Sequence, residues 1–170
     1  MTSIRTVGIE FAGELVGLWV DTFMQAYDGV HTPENIRAYC AANFTAERAK
    51  ADLSDDRTRC CAVFRDGRPT GFYILKDHDC PIALEGGSAE LKQIYVLAKE
   101  YGSGAGRALF QDALDAVRGF GRAWMWLSVS DLNQRAQAYY DKNDFEPLGP
   151  GPVFEVGTDR LTSTIMARRV

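Results

Sequence analysis

The chain is short of the residues that build metal centres. It has only two histidines and four cysteines in 170 residues, and none of the cysteines stands in a CxxC or Cys/His ligand spacing. His78-Asp79-Cys80 is too compact for a zinc site by itself, and His31 and His78 both read as loop residues, so no metal is expected. Cys60 and Cys61 adjoin in RTRCCAVF, a strand-like run whose successive side chains point to opposite faces. With Cys40 and Cys80 they read as buried or half-buried thiols in a reducing cytoplasm. Long apolar runs are also missing. No window approaches a membrane span, and MTSIRTVGIEF lacks the basic stretch and apolar core of a leader. A cytoplasmic protein without a membrane partner is expected. Basic residues are in slight deficit, for a net charge of −4, which argues against a nucleic-acid partner held by bulk electrostatics. With no repeat, low-complexity tract or linker, one domain over residues 1–170 is expected.

What is present is a mixture of periodicities. Residues 3–9 allow a short strand. The set Phe11, Leu15, Leu18, Trp19, Phe23 and Ala26 has helical spacing, and Gly29 ends it. Thr32-Pro33-Glu34 and Thr45 open two further short helices, each with a capping hydroxyl. Arg59–Phe64 and Pro69–Leu75 are apolar strands joined by Asp66-Gly67, a hairpin signal. After a polar loop over 76–88 come a strand over 90–97, a helix to about Arg118, a strand over 123–129 and a helix over 133–142. Strands over 145–149 and 161–167 close the chain, the last entered by the turn Gly157-Thr158-Asp159. The class is mixed α/β (α+β), with one mostly antiparallel sheet.

ELKQIYVLAKEYGSGAGRAL, residues 90–109, carries the chemistry. A β-branched strand runs into a turn with three glycines, and a helix follows. Glycine admits φ > 0 and close approach of a ligand to the backbone, and the first helical turn offers unpaired N–H groups and a positive dipole end to an anion. A Walker A loop would need Lys-Ser or Lys-Thr where Arg107-Ala108 stand. A dinucleotide fingerprint would need G-x-G-x-x-G, although Asp131 imitates its acid. From the residues alone, an anion cradle for a nucleotide or for coenzyme A and a ligand-free glycine loop all remain.

YGSGAGRAL resembles motif A of the GNAT N-acetyltransferase superfamily, Gln/Arg-x-x-Gly-x-Gly/Ala, at Tyr101, Gly104 and Gly106. NQRAQAYYDKNDF resembles the superfamily's motif B at Asn133, Ala136, Tyr139, Tyr140 and Phe145, with Asp144 in place of the usual glycine. Within the superfamily the chain is similar to the polyamine (spermidine/spermine) N-acetyltransferase-like branch in ELKQIYV, WLSVSDLN and the tail FEVGTDRLTSTIM, where Leu161 and Ser163 depart from the pattern. The resemblance implies a sheet of about 6–7 strands flanked by helices and split between the strands before and after the glycine turn. It also implies an acetyl-CoA-dependent enzyme acting by direct transfer on a primary amine of a small molecule, a polyamine first. The alternatives are a protein N-terminal or lysine acetyltransferase and a non-catalytic acyl-CoA-binding domain.

Carried over by motif position, backbone groups of Ile94, Val96 and Leu97 hold the pantetheine arm. The stretch Tyr101, Gly102, Ser103, Gly104, Ala105, Gly106 and Arg107 holds the pyrophosphate, and Asn133 meets a pantetheine amide or caps its helix. Tyr140 returns a proton to the leaving thiolate. Glu90, directly or through water, takes the proton that an alkylammonium keeps to a pKa of roughly 10. Asp21, Asp28, Glu34 and Glu85 are expected as an acidic rim for the amine. The protein is expected to act as a monomer or homodimer.

Overall fold

The apolar runs become strands because each has a buried face to fill. In the computed structural model, which describes residues 1–170, β1 (Thr2–Thr6), β2 (Thr58–Arg65), β3 (Arg68–Lys76) and β4 (Ser88–Val96) pair antiparallel in chain order. The β2–β3 turn places Asp66 at φ 49° and Gly67 at φ 80°, the doubly positive turn that matches strand twist. Next to β4 lies β5 (Trp124–Ser130), followed by β9 (Ser163–Arg169) and β6 (Glu146–Pro150), which completes a seven-stranded sheet.

Helices cover both faces. On one side, α1 (Ala12–Tyr27), entered through a 3₁₀ turn at Ile9–Phe11, and α3 (Ala46–Ser54) press Phe11, Leu15, Leu18 and Trp19 against Phe72 and Ile74. α2 (Pro33–Asn43) completes that layer, its first turn capped by Thr32 Oγ1. On the other side α4 (Ala105–Gly119) buries Leu109, Phe110, Ala113, Leu114 and Val117 against β3, β4 and β5. Complete burial of a Leu or Val side chain stabilises by about 2 kcal/mol. α5 (Gln134–Lys142) has no fully buried residue. It is held by its Asn133 cap, by Gln137 on the Ser130 carbonyl at 2.9 Å, and by Tyr139 and Tyr140 against Phe110 and Phe145.

The structure divides the expected final strand. Residues 159–161 form β8, which pairs with β7 (Phe154–Val156) in a separate two-stranded hairpin, and β9 begins only at Ser163. The division falls at Thr162, whose hydroxyl is held by Asp131 at 2.5 Å. The turn between β7 and β8 lies against α2: Gly157 has φ 59°, and a Cβ there would overlap the Asn35 side chain.

One join in the sheet is brief. β4 and β5 run parallel and pair only at Ser88–Trp124, Ala89–Met125 and Glu90–Trp126. Beyond Glu90 they diverge, and the β3–β4 register shifts by one residue at Lys92, a bulge that bends the strand locally. The expected split of the sheet is thus present, with its apex at Glu90 and Trp126.

Candidate active site

The turn between β4 and α4 has the conformation its glycines allow. Gly102 and Gly104 sit at φ 79° and 89°, where a Cβ is disfavoured. The Tyr101 amide closes onto the Ala98 carbonyl, and that of Ser103 onto Glu100. Ser103 Oγ caps the Ala105 amide at 3.2 Å. The N–H groups of Gly102, Gly104, Gly106 and Arg107 make no hydrogen bond within the protein, and all four residues line a groove of about 500 Å³. Four free donors beside a helix N-terminus fit a pyrophosphate. Ser103 and Ala105, expected among the ligands, are occupied with one another and stand outside the groove wall. Arg107 and Arg135 line the groove too, the second with its guanidinium 3.7 Å from the centre of the Tyr101 ring.

A buried carboxylate supports this loop. Glu100 is 3% exposed and meets Arg65 through both oxygens, at 2.8 to 3.1 Å. The guanidinium holds the Glu100 carboxyl below the ordinary range. Thirty-five positions separate the partners, so no local pattern announces the pair.

The divergence of β4 from β5 exposes strand backbone along the groove. The Leu97 amide bonds across to Thr70. Since backbone groups alternate sides along an antiparallel ladder, Ile94 and Val96 turn theirs toward the opening. Both residues line the groove and Leu97 does not.

Through this opening the groove meets a second cavity, of about 180 Å³, on the α1 side of the sheet. Ile94, Tyr95, Asn133, Ala136 and Tyr140 line both spaces. Asn133 caps α5 by accepting from the Ala136 amide at 3.1 Å, and its own amide N–H side faces the Tyr27 phenol. The phenol of Tyr140 is pushed up by burial, with Tyr139 and Tyr27 adding to the shift, so the group stays protonated at neutral pH. Tyr27 and Tyr95 are raised by burial as well. With Trp19, Phe23 and Phe154 these tyrosines make the second cavity an aromatic chamber.

Glu90 stands at the apex of the fork and lines neither space. Its carboxylate lies 3.3 Å from His78 Nε2, and burial holds the carboxyl above its ordinary value, with His78 opposing. His78 thus comes from the loop to contact an expected site residue, which its sequence context did not suggest. The acidic rim does not assemble on the chamber: Asp21, Asp28, Glu34 and Glu85 are all outside its wall. Glu34 pairs with Arg37 at 3.2 Å, and Glu85 lies near the closed end of the fork, its carbonyl bonded to Trp124. No group of three or more histidine, cysteine or acidic side chains is arranged to hold a metal ion.

Comparison with known proteins agrees with this geometry. The model of the Acetyltransferase (GNAT) family matches residues 18–145. An uncharacterized N-acetyltransferase of Mycobacterium tuberculosis is 30% identical over 159 residues, which cover 94% of this chain and 97% of the relative. Among solved structures, the PaiA N-acetyltransferase of Thermoplasma acidophilum, in complex with coenzyme A, superposes with a TM-score of 0.81 at 20% identity, over 100% of this chain and 99% of that one. A GCN5-related N-acetyltransferase from Rhodopseudomonas palustris gives 0.80 at 18% identity, over 100% and 96% of the two chains. The forked sheet, the glycine turn and these matches place the chain in the GNAT family of acetyltransferases.

Proposed function

We propose that the protein moves an acetyl group from acetyl-CoA to a primary amine on a small molecule. The observation that carries this reading is the junction at Ile94, Tyr95, Asn133, Ala136 and Tyr140, where a groove with four free backbone donors opens through the fork onto an aromatic chamber. The free amides of Gly102, Gly104, Gly106 and Arg107 would hold the pyrophosphate, with Arg107 adding positive charge. Ile94 and Val96 would hold the pantetheine arm by strand-like hydrogen bonds, and Asn133, which lines the groove, would serve the same arm. Acetyl-CoA supplies the acetyl group as a thioester, already activated for attack by an amine.

The chain's own residues then have two proton problems to solve. An ammonium must lose a proton before its nitrogen becomes nucleophilic, and the departing sulfur must gain one. Tyr140, kept neutral by burial and placed at the junction, is the donor in this reading. Glu90 is the base. It lies at the apex of the fork rather than on the chamber wall, so it acts through solvent along β4, with His78 beside it. A raised carboxyl pKa suits that role, since a base closer to neutrality accepts the proton more readily.

A polyamine fits the chamber less well than a single amine. No aspartate or glutamate lines it, so the further ammonium groups of a polyamine would meet no opposite charge. The test is release of free thiol from acetyl-CoA with a panel of monoamines, polyamines and peptides. Tyr140→Phe is expected to lower kcat by at least about 10²-fold while coenzyme A binding, measured calorimetrically, persists. Equal loss of binding and turnover would remove Tyr140 from the chemistry, and transfer confined to peptides would exclude a small-molecule acceptor.

A further inference from the structure

One wall of the chamber carries hydrogen-bond donors that nothing in the protein satisfies. Lys92, at the β4 bulge, is half-buried and lines the chamber. Its ammonium makes no hydrogen bond and no ion pair, and the nearby acids are engaged elsewhere: Asp52 with Lys76 at 2.9 Å, Glu90 with His78 at 3.3 Å. Burial lowers the Lys92 pKa below its ordinary value, with Asp52 and Glu90 opposing only in part, as for a cation partly withdrawn from water without a direct partner. Beside it stands Gln93. The indole N–H of Trp19 donates to Gln93 Oε1 at 2.6 Å. Because an indole can only donate, this fixes the amide so that its NH₂ points away from Trp19, and that NH₂ has no partner in the protein. An ammonium and an amide NH₂ on adjacent residues, facing a space without acids, ask for a compact acceptor of negative charge.

Resting on the acetyl-transfer reading above, we propose that the acceptor is an amine that also carries a compact anionic group, held in the chamber by Lys92 with Gln93. The acceptor's anion completes the hydrogen bonding of both side chains and balances the charge of Lys92. A polycation instead adds like charge to a wall that already holds an unpaired ammonium. The bulge is what brings the two donors together, since it interrupts the alternation that would send adjacent side chains to opposite faces.

Matched pairs of amines test this: cadaverine against lysine, 2-phenylethylamine against phenylalanine, and ethanolamine against its phosphate monoester. The first two pairs read a carboxylate and the third a phosphate. The anionic member of at least one pair is expected to be favoured by about 10-fold or more in kcat/KM, the range of a charge-assisted hydrogen bond. Lys92→Met should collapse that ratio toward one, through the KM of the anionic member, and Lys92→Arg should restore part of it. A structural role for Lys92 would shift both members together and leave the ratio unchanged. Affinity of the coenzyme A complex for the N-acetylated product of each pair supplies a reading independent of turnover, with the same order expected. Preference in every pair for the member that lacks the anionic group, a ratio insensitive to Lys92→Met, or no turnover of any member by a protein that binds coenzyme A overturns the proposal. Failure to bind coenzyme A overturns the acetyl-transfer reading itself, and this proposal with it.

Discussion

Glu90 is the residue whose environment says most about its chemistry. Half-buried at the apex of the fork beside His78, its carboxyl is held above the ordinary value of 4.5 by burial, with His78, Lys92 and Lys76 opposing. For an acid whose folded pKa is raised, the native state binds the extra proton first. Stability attributable to this group is therefore gained as pH falls through the raised pKa and is lost again above it. In the proposed mechanism activity has the opposite sign, since a base works only when ionised. The acid limb of the kcat/KM profile is expected to have its midpoint above 4.5. Glu90→Gln should abolish that limb together with most of the turnover, and should raise the melting temperature at neutral pH by removing a charge whose burial its neighbours offset only in part. A pH–rate profile beside pH-dependent melting curves checks both signs. Unchanged turnover in Glu90→Gln would move the base elsewhere. The sequence offered Glu90 as a carboxylate at a strand start, but its partner arrives from the loop over 76–88, and no spacing in that loop signals the approach.

At the level of elements, the segments with a clear period or a clear terminator were the legible ones. Thr32 and Thr45 cap their helices as their hydroxyls suggested, and Asp66-Gly67 makes the expected hairpin. The tail was less legible, because Leu161-Thr-Ser-Thr reads as continuous strand while tertiary contacts break it. Asp131 binds the hydroxyls of both Thr162 and Thr164, and the hairpin ahead of it leaves the main sheet to pack its Val156 and Leu161 with Phe23 and Ile36. The chamber was illegible for a related reason: its walls come from α1, α2, β4, β5, α5 and β7, and only the bulge brings Lys92 beside Gln93. At the end of α5, Asp144 holds φ 63°, where aspartate is tolerated and glycine is unstrained. Asp144→Gly is expected to be neutral or slightly stabilising, and Asp144→Val to cost about 1–2 kcal/mol. Urea unfolding of the two variants checks this, and equal stability would mean that the turn does not set the end of α5.

Across the whole molecule, the two large cores lie on opposite faces of one sheet, and the two proposed ligand spaces meet where that sheet opens. A ligand that binds only the folded form stabilises by RT ln(1 + [L]/Kd), about 2.7 kcal/mol at a hundred times Kd. For a chain of this size that amounts to a rise of roughly 5–10 °C in melting temperature. Coenzyme A at saturating concentration is expected to give such a shift, and Gly104→Val, which forces a side chain onto a left-handed position, should remove most of it. A scanning-fluorimetry titration decides, and an unshifted wild-type protein would count against the groove. The three residue pairs that join β4 to β5 carry a mechanical implication. The sheet behaves as two panels, one built from β1 to β4 and the other from β5, β9 and β6, sewn along a short seam. Substrates that bridge both panels act as mortar in that seam. The loaded enzyme should therefore resist prying apart at the line where the empty one yields first, since the ligand spans the fork just beyond its few paired residues.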